Sequence, residues 1–213
     1  MTTPASIQVR QKLWRGPQIV LASRSAGRAR LLEGAGIPFI VAESNLNERQ
    51  VEAEFQGAPE ELASRLAFEK ARLAAGAHRD RLVLAADQVL SVEGRVLHKP
   101  ETMEQAVAQL RDLRGREHNL HSAASLVTNG VASFDHVETA RVQLSDFSDD
   151  FLRAYVDVMG EGMLRTVGAY EIEGMGANLI EKVQGDFFTI VGFPLLPFLA
   201  FCRRVGLIAG KSE

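Results

Sequence analysis

The chain has 213 residues, 46% hydrophobic and 24% charged, which is enough to bury a real core in one large domain or two small lobes. Its formal net charge of −3 argues against a dedicated nucleic-acid binder, which carries a basic excess. The single cysteine, Cys202, excludes a disulfide framework and a multi-cysteine metal site and fits a reducing cytoplasm, and no apolar run nears the ~20 residues that span a bilayer.

Residues 1–17 hold no apolar segment of the signal-peptide kind and read as a ragged arm, ahead of one domain over 18–208 and a tail at 209–213. Residues 18–23 read as a buried strand and 26–34 as a short helix closed by Gly34 and Gly36. IPFIVAES, at 37–44, is a second strand. Residues 59–75 form a helix, with Pro59 in its first turn, acids following and Gly76 at its end. RLVLAADQVL, at 81–90, is a strand and GRVLHKP, at 94–100, a short one. A helix over 103–113 carries Met103, Ala106, Val107 and Leu110 on one side and stops at Gly115. Residues 116–145 alternate around Asn129-Gly130, which is a hairpin signature. Residues 148–158 open on a serine cap and are helical, 168–195 read as glycine-punctuated strand and loop, and 194–205 as a closing helix. Helices mixed with strands of both kinds give an α/β or α+β fold.

Several positions carry chemistry. SRSAGR, from Ser23 to Arg28, falls where the first strand becomes a helix. A helix N-terminus attracts anions; Ser23 and Ser25 add donors, Gly27 lets a ligand approach the backbone, and Arg28 adds a fork suited to phosphate. A serine cap beside a solvated arginine would look the same. In the 59–75 helix, Leu62, Leu66 and Leu73 trace an apolar face that Lys70 shares, with Arg65 nearby. A lysine there either snorkels outward or meets a buried anion. Asp87 ends an apolar run, so its carboxylate emerges at a strand tip, where open α/β sheets bind ligands; it can hold a metal, activate water or simply close a turn. Lys99 stands before Pro100 in extended backbone, and Glu48 is a further candidate metal ligand or base.

Other chemistries are excluded by pattern. There is no G-x-x-x-x-G-K-[ST] loop, no G-x-G-x-x-G and no G-x-S-x-G. His118 and His121 are three apart on a strand and face opposite sides, and no H-x-x-x-H pair exists, so zinc is not expected. Cys202 lies in an apolar run and reads as a core residue. Four cations of phosphate-binding type beside two or three acids suit a metal–polyphosphate substrate better than a core.

LASRSAGRARLL, Asn47-Glu48, RLAFEKA, AADQV, HKPETMEQAVAQLRDLRGREH and GAYEIEGMGANLIEKVQGDFFTIVGFP stand in an order and spacing that resembles the Maf (septum formation protein) family of nucleoside triphosphate pyrophosphatases, from Ile19 to about Leu207. The resemblance implies a mixed twisted α/β sheet flanked by helices, in two lobes with a deep substrate cleft between them. It implies hydrolysis of a nucleoside triphosphate to the monophosphate and pyrophosphate with Mg2+ or Mn2+, by a cytoplasmic enzyme for which a homodimer is compatible. Ser23, Ser25, Arg28, Lys70 and Lys99 would bind the triphosphate, Glu48 and Asp87 the metal, and Asp87 would activate water.

The chain departs from the pattern in places. Ala26-Gly27 replaces Pro-Arg or Pro-Trp, Asn47 replaces an acid and HSAASL lacks the usual Thr-Gly. Gln88 and Glu173 resemble the subgroup that cleaves 7-methyl-GTP rather than dTTP or UTP, and with Gly27, which leaves a gap, they mark the expected base-selecting positions. The competing readings are a dTTP/UTP pyrophosphatase of the same family and a non-catalytic nucleotide-binding regulator of cell division.

Overall fold

The computed structural model describes residues 13–209. A seven-stranded mixed sheet runs in the order β2-β1-β3-β5-β6-β7, with β4 attached to β3. Strand β1 (Ile19–Leu21) leads into helix α1 (Ala26–Gly34) and β2 (Phe39–Val41). Helices α2 (Glu48–Glu54) and α3 (Pro59–Ala77) follow, then β3 (Val83–Val92), β4 (Arg95–Leu97) and α4 (Met103–Leu113). The hairpin of β5 (Glu117–Thr128) and β6 (Val131–Leu144) precedes α5 (Asp149–Met159). Three 3-10 turns, β7 (Ile180–Gln184), α6 (Phe187–Val191) and α7 (Leu195–Arg204) complete the chain. β1 is parallel to β2 and β3, and every other pairing is antiparallel. Among the described residues no helix is long and apolar enough to cross a membrane.

Two apolar clusters divide the molecule into lobes joined through the long strands. One gathers Ile19, Leu21, Leu84, Ala86 and Phe193 around the start of β3; the other gathers Leu90, Val92, Leu110, Leu120 and Met163 around its end. Helix α3 covers the sheet through buried Ala63, Ala67, Ala71 and Ala74, flanked by Leu62 and Leu66. The alanines let it approach closely, which rotates Leu73 to the flank, where it is exposed rather than part of the apolar face. The hairpin turn is built as its Asn-Gly pair requires, with φ of +50° at Asn129 and +81° at Gly130.

Other differences from the sequence reading are local. α3 runs through Gly76 to Ala77, with His78 as its C-cap. A helix at 48–54 and another at 187–191 occupy stretches without a helical pattern; Asn47 and Asp186 cap them. The expected arm falls partly at 1–12, outside the described residues. At 13–17 it is paired: Trp14 is buried and bridges Ile208, and Arg15 N–H donates to Leu207 O at 2.8 Å. Residues 210–213 also lie outside the described residues. Cys202 is buried in α7, and burial pushes its thiol up to about 12, as suits a core residue.

His118, 1% exposed, bonds through Nε2 to the Tyr170 hydroxyl at 2.7 Å. Burial lowers its pKa from 6.5 to about 4, so it is neutral in the folded chain while the unfolded chain protonates it first. Its contribution is complete above pH 6.5 and is lost as pH falls toward 4, on the order of 3 kcal/mol. His118→Gln should therefore flatten the fall in denaturation free energy between pH 6.5 and 4; an unaltered slope would mean that other groups set it.

Candidate active site

The site lies where the sheet splits. Strand β5 pairs with β3 from Val83 to Ser91 and occupies one edge. The other edge is shared: β1 pairs with Val83 and Leu84, and β4 with Leu90, Ser91 and Val92. Between them, residues 85–89 have no strand neighbour on that side. Asp87 and Gln88 are thus in mid-strand rather than at a tip, and they point to opposite faces of the sheet. Their access exists because β1 stops at Leu21, and not because β3 ends there.

Arg28 fills the split. Its Nη1 donates to Ala86 O at 2.7 Å and Ser23 Oγ at 3.2 Å, and its Nε donates to Gly192 O at 2.8 Å. Gly192 ends α6 with φ +113°, which turns that carbonyl toward the guanidinium. Nη2 takes part in none of these bonds. Burial lowers the Arg28 pKa, opposed by the negative charges of Asp87 and Glu48. Ser25 caps α1, its Oγ accepting from Arg28 N–H at 3.4 Å, and Ser23 Oγ accepts from Ser25 N–H at 3.3 Å. Both serines therefore serve the turn itself as well as lining the cavity.

Lys70 projects from the alanine face of α3 toward β3. It does not snorkel: it is 8% exposed, it pairs with Asp87 Oδ1, and its Nζ lies 2.9 Å from Glu48 Oε1. Asp87 is itself 6% exposed, and its Oδ2 makes none of these bonds. Arg65 turns away and pairs with Glu69 at 2.8 Å. Lys99 forms no ion pair among the described residues. It lines the cleft, and burial lowers its pKa, helped by the positive charges of Arg28 and Lys70 and opposed by the negative charges of Asp87 and Glu48.

Two adjoining cavities of about 710 Å³ each meet at these groups. Ser25, Arg28, Glu48, Lys70, Gln88 and Lys99 line both. Asp87, Glu52 and His98 line one compartment; Ser23, Gly27, Arg30, Tyr170 and Glu173 line the other. The structure thus gathers all the candidate residues around one cleft. Gln88 has its amide nitrogen fixed by Ser122 Oγ, Thr189 O and Ile190 O, each at 3.0 Å, which leaves its oxygen side as the variable face. Gly27 does not leave a gap: a Cβ there would stand 3.2 Å from Val191 Cγ1 and 3.3 Å from Glu173 Oε2.

The sequence reading missed Arg30 and Arg165. Arg30 Nη2 donates to Glu173 Oε2 at 2.9 Å; its spacing from Gly27, one helical turn, was the available signal. Arg165, at the end of a 3-10 turn, lines both compartments and forms no ion pair among the described residues. No local pattern marks it.

The acids suit a hard divalent cation in a limited way. Glu48 and Asp87 both reach the Lys70 ammonium, so they converge on one point, and carboxylate oxygens are the donors that Mg2+ and Mn2+ take. Among the described residues no group of three or more His, Cys, Asp or Glu side chains could hold a metal. Two carboxylates plus substrate phosphates is the usual way Mg2+ is held beside a polyphosphate.

A cleft in which Arg28, Lys70, Lys99 and Arg165 gather near the buried carboxylate of Asp87 suits a polyphosphate ligand. Residues 18–205 match the profile of the Maf-like protein family. A nucleoside triphosphate pyrophosphatase of Rhodopseudomonas palustris (strain HaA2) is 44% identical over 199 residues, 92% of this chain and 98% of that protein. A 7-methyl-GTP pyrophosphatase of Bartonella quintana is 39% identical over 191 residues, 89% of this chain and 96% of that one. The solved structure of a nucleoside-triphosphatase / dITP/XTP pyrophosphatase from Mycobacterium abscessus superposes with a TM-score of 0.43 at 18% identity, over 89% of this chain and 98% of that one. The chain belongs to the Maf-like protein family.

Proposed function

We propose that the protein hydrolyses 7-methyl-GTP, or a closely similar guanine nucleotide, to the monophosphate and pyrophosphate. Its class is that of its relatives: it is a nucleoside triphosphate pyrophosphatase. The observation that carries the finer reading is the carboxylate of Glu173 on the wall of the compartment opposite Asp87. An ionised carboxylate only accepts hydrogen bonds. Guanine presents two adjacent donors, N1–H and the 2-amino group, whereas thymine and uracil present one donor flanked by two acceptors. Methylation at N7 also places positive charge on the ring.

In this reading the triphosphate crosses the boundary of the two compartments, against Ser25, Lys70, Lys99 and the free Nη2 of Arg28. Glu48 and Asp87 would hold a divalent cation, which would supply charge neutralisation beside the phosphates. Asp87 Oδ2 accepts a proton from water as the water oxygen bonds the α-phosphorus. The α–β anhydride bond breaks, and the bridging oxygen leaves with pyrophosphate. Arg28, fixed at three points of the sheet split, orients rather than searches, which is where positioning gains its rate advantage.

Pyrophosphate release should be measured over 7-methyl-GTP, GTP, dTTP, UTP and ATP with Mg2+ or Mn2+. We expect the highest kcat/KM for 7-methyl-GTP and a shift toward pyrimidines in Glu173→Gln. Higher kcat/KM for dTTP or UTP in the wild type, or an unchanged ratio in the variant, would remove the base assignment and leave the class intact.

A further inference from the structure

Arg30 and Gly27 lie one turn apart on the face of α1 that looks into the base-side compartment. Glu173 belongs to the facing lobe, 143 residues away in sequence, and Arg30 Nη2 meets its Oε2 at 2.9 Å. The side chains are 55% and 26% exposed, so the pair spans the cavity rim in contact with water rather than closing a dry core. Such a pair contributes little to stability. Neither residue is otherwise occupied: Arg30 makes no other hydrogen bond among the described residues, and Glu173 Oε1 makes none.

We propose that Arg30 is a specificity-determining residue that reads the base jointly with Glu173; this rests on the placement of the base beside Glu173. A guanidinium has five donors in a fixed plane, and a single carboxylate oxygen uses only one or two of them. Arg30 and the free Oε1 of Glu173 therefore present a donor next to an acceptor along one edge. Guanine offers the complement, with O6 accepting beside N1–H and the 2-amino group donating. Uracil and thymine match the first two positions, through O4 and N3–H, and then set O2 against the carboxylate. Adenine is inverted: its amino group faces the guanidinium, and its N1 lone pair faces the carboxylate. The pair thus rejects adenine most strongly and pyrimidines less. Gly27 belongs to the same device. A larger residue there would enter the space between Val191 and Glu173 and compete with Arg30 for the carboxylate.

The test is steady-state kinetics of wild type, Arg30→Ala and Arg30→Lys on 7-methyl-GTP, GTP, UTP and ATP. Arg30→Ala should lower kcat/KM for the guanine substrates about tenfold or more, mostly through KM, and narrow their ratio to ATP. Arg30→Lys should recover only part of the ratio, because a point charge cannot hold Glu173 and a keto oxygen in one plane. An unchanged guanine-to-ATP ratio in Arg30→Ala would overturn the proposal, and so would an equal loss on every base, which is what a purely structural strap would give. If the wild type prefers UTP, the guanine assignment fails separately; Arg30 is then judged by the UTP-to-ATP ratio, which should narrow in Arg30→Ala because O4 is also a keto oxygen.

Discussion

Asp87→Asn should lower turnover by about 10²-fold or more while nucleotide still binds, because the amide cannot take the proton that leaves the attacking water. The structure sharpens the binding half of this expectation. Asp87 shares the Lys70 ammonium with Glu48, so removing its charge leaves Lys70 freer to meet phosphate. Calorimetric titration with a non-hydrolysable triphosphate in the absence of a divalent cation, which Asp87 would help to hold, should show affinity retained or increased in the variant. Single-turnover pyrophosphate release should show the loss in the chemical step. Turnover within a few-fold of wild type would take Asp87 out of the proton-transfer role.

The second large effect concerns Lys70. If Lys70 snorkelled outward, one of the two outcomes that the sequence allows, its removal would cost the fold little. The structure reverses this, because Lys70 is paired and both it and Asp87 are nearly enclosed. Lys70→Ala leaves the Asp87 carboxylate buried without its counter-charge and with Glu48 beside it. Breaking such a pair from one side costs on the order of 3–5 kcal/mol. Urea denaturation should show that loss together with weaker triphosphate binding. Lys70→Met combined with Asp87→Asn should recover most of the stability and none of the activity, since no charge is then stranded. A single variant as stable as wild type would show that water or a neighbouring cation satisfies Asp87.

What the sequence could yield depended on the range of the cause. The helices over Ala26–Gly34 and Met103–Leu113 and the Asn129-Gly130 hairpin are set by caps, periodicity and turn residues within a few positions, and all were readable. The helices at Glu48–Glu54 and Phe187–Val191 are short, with little periodicity to detect, and their caps, Asn47 and Asp186, are the residues that mark them. Asp87 was placed at a strand tip because its apolar run ends there; β3 in fact continues because β5 pairs along it from Val83 to Ser91, a partnership between distant segments. The site cations could be named singly from local chemistry. That Lys70 faces Asp87, that Gly27 is crowded by Val191 and that Arg30 crosses to Glu173 all follow from how segments far apart in the chain pack.

The two jobs of the cleft are held by different kinds of structure. Asp87 and Lys70, about a tenth exposed, are embedded between α3 and the central strands. The residues proposed to judge the base, Arg30 and Glu173, stand on a rim, 55% and 26% exposed. In the embedded pair, Lys70→Ala costs stability and Asp87→Asn costs turnover. A substitution on the rim costs the fold little, and by the proposal above changes what is admitted. A lineage carrying this scaffold can therefore drift from one nucleotide diet to another by single steps, each leaving a foldable and still hydrolytic intermediate, while the reaction itself stays fixed.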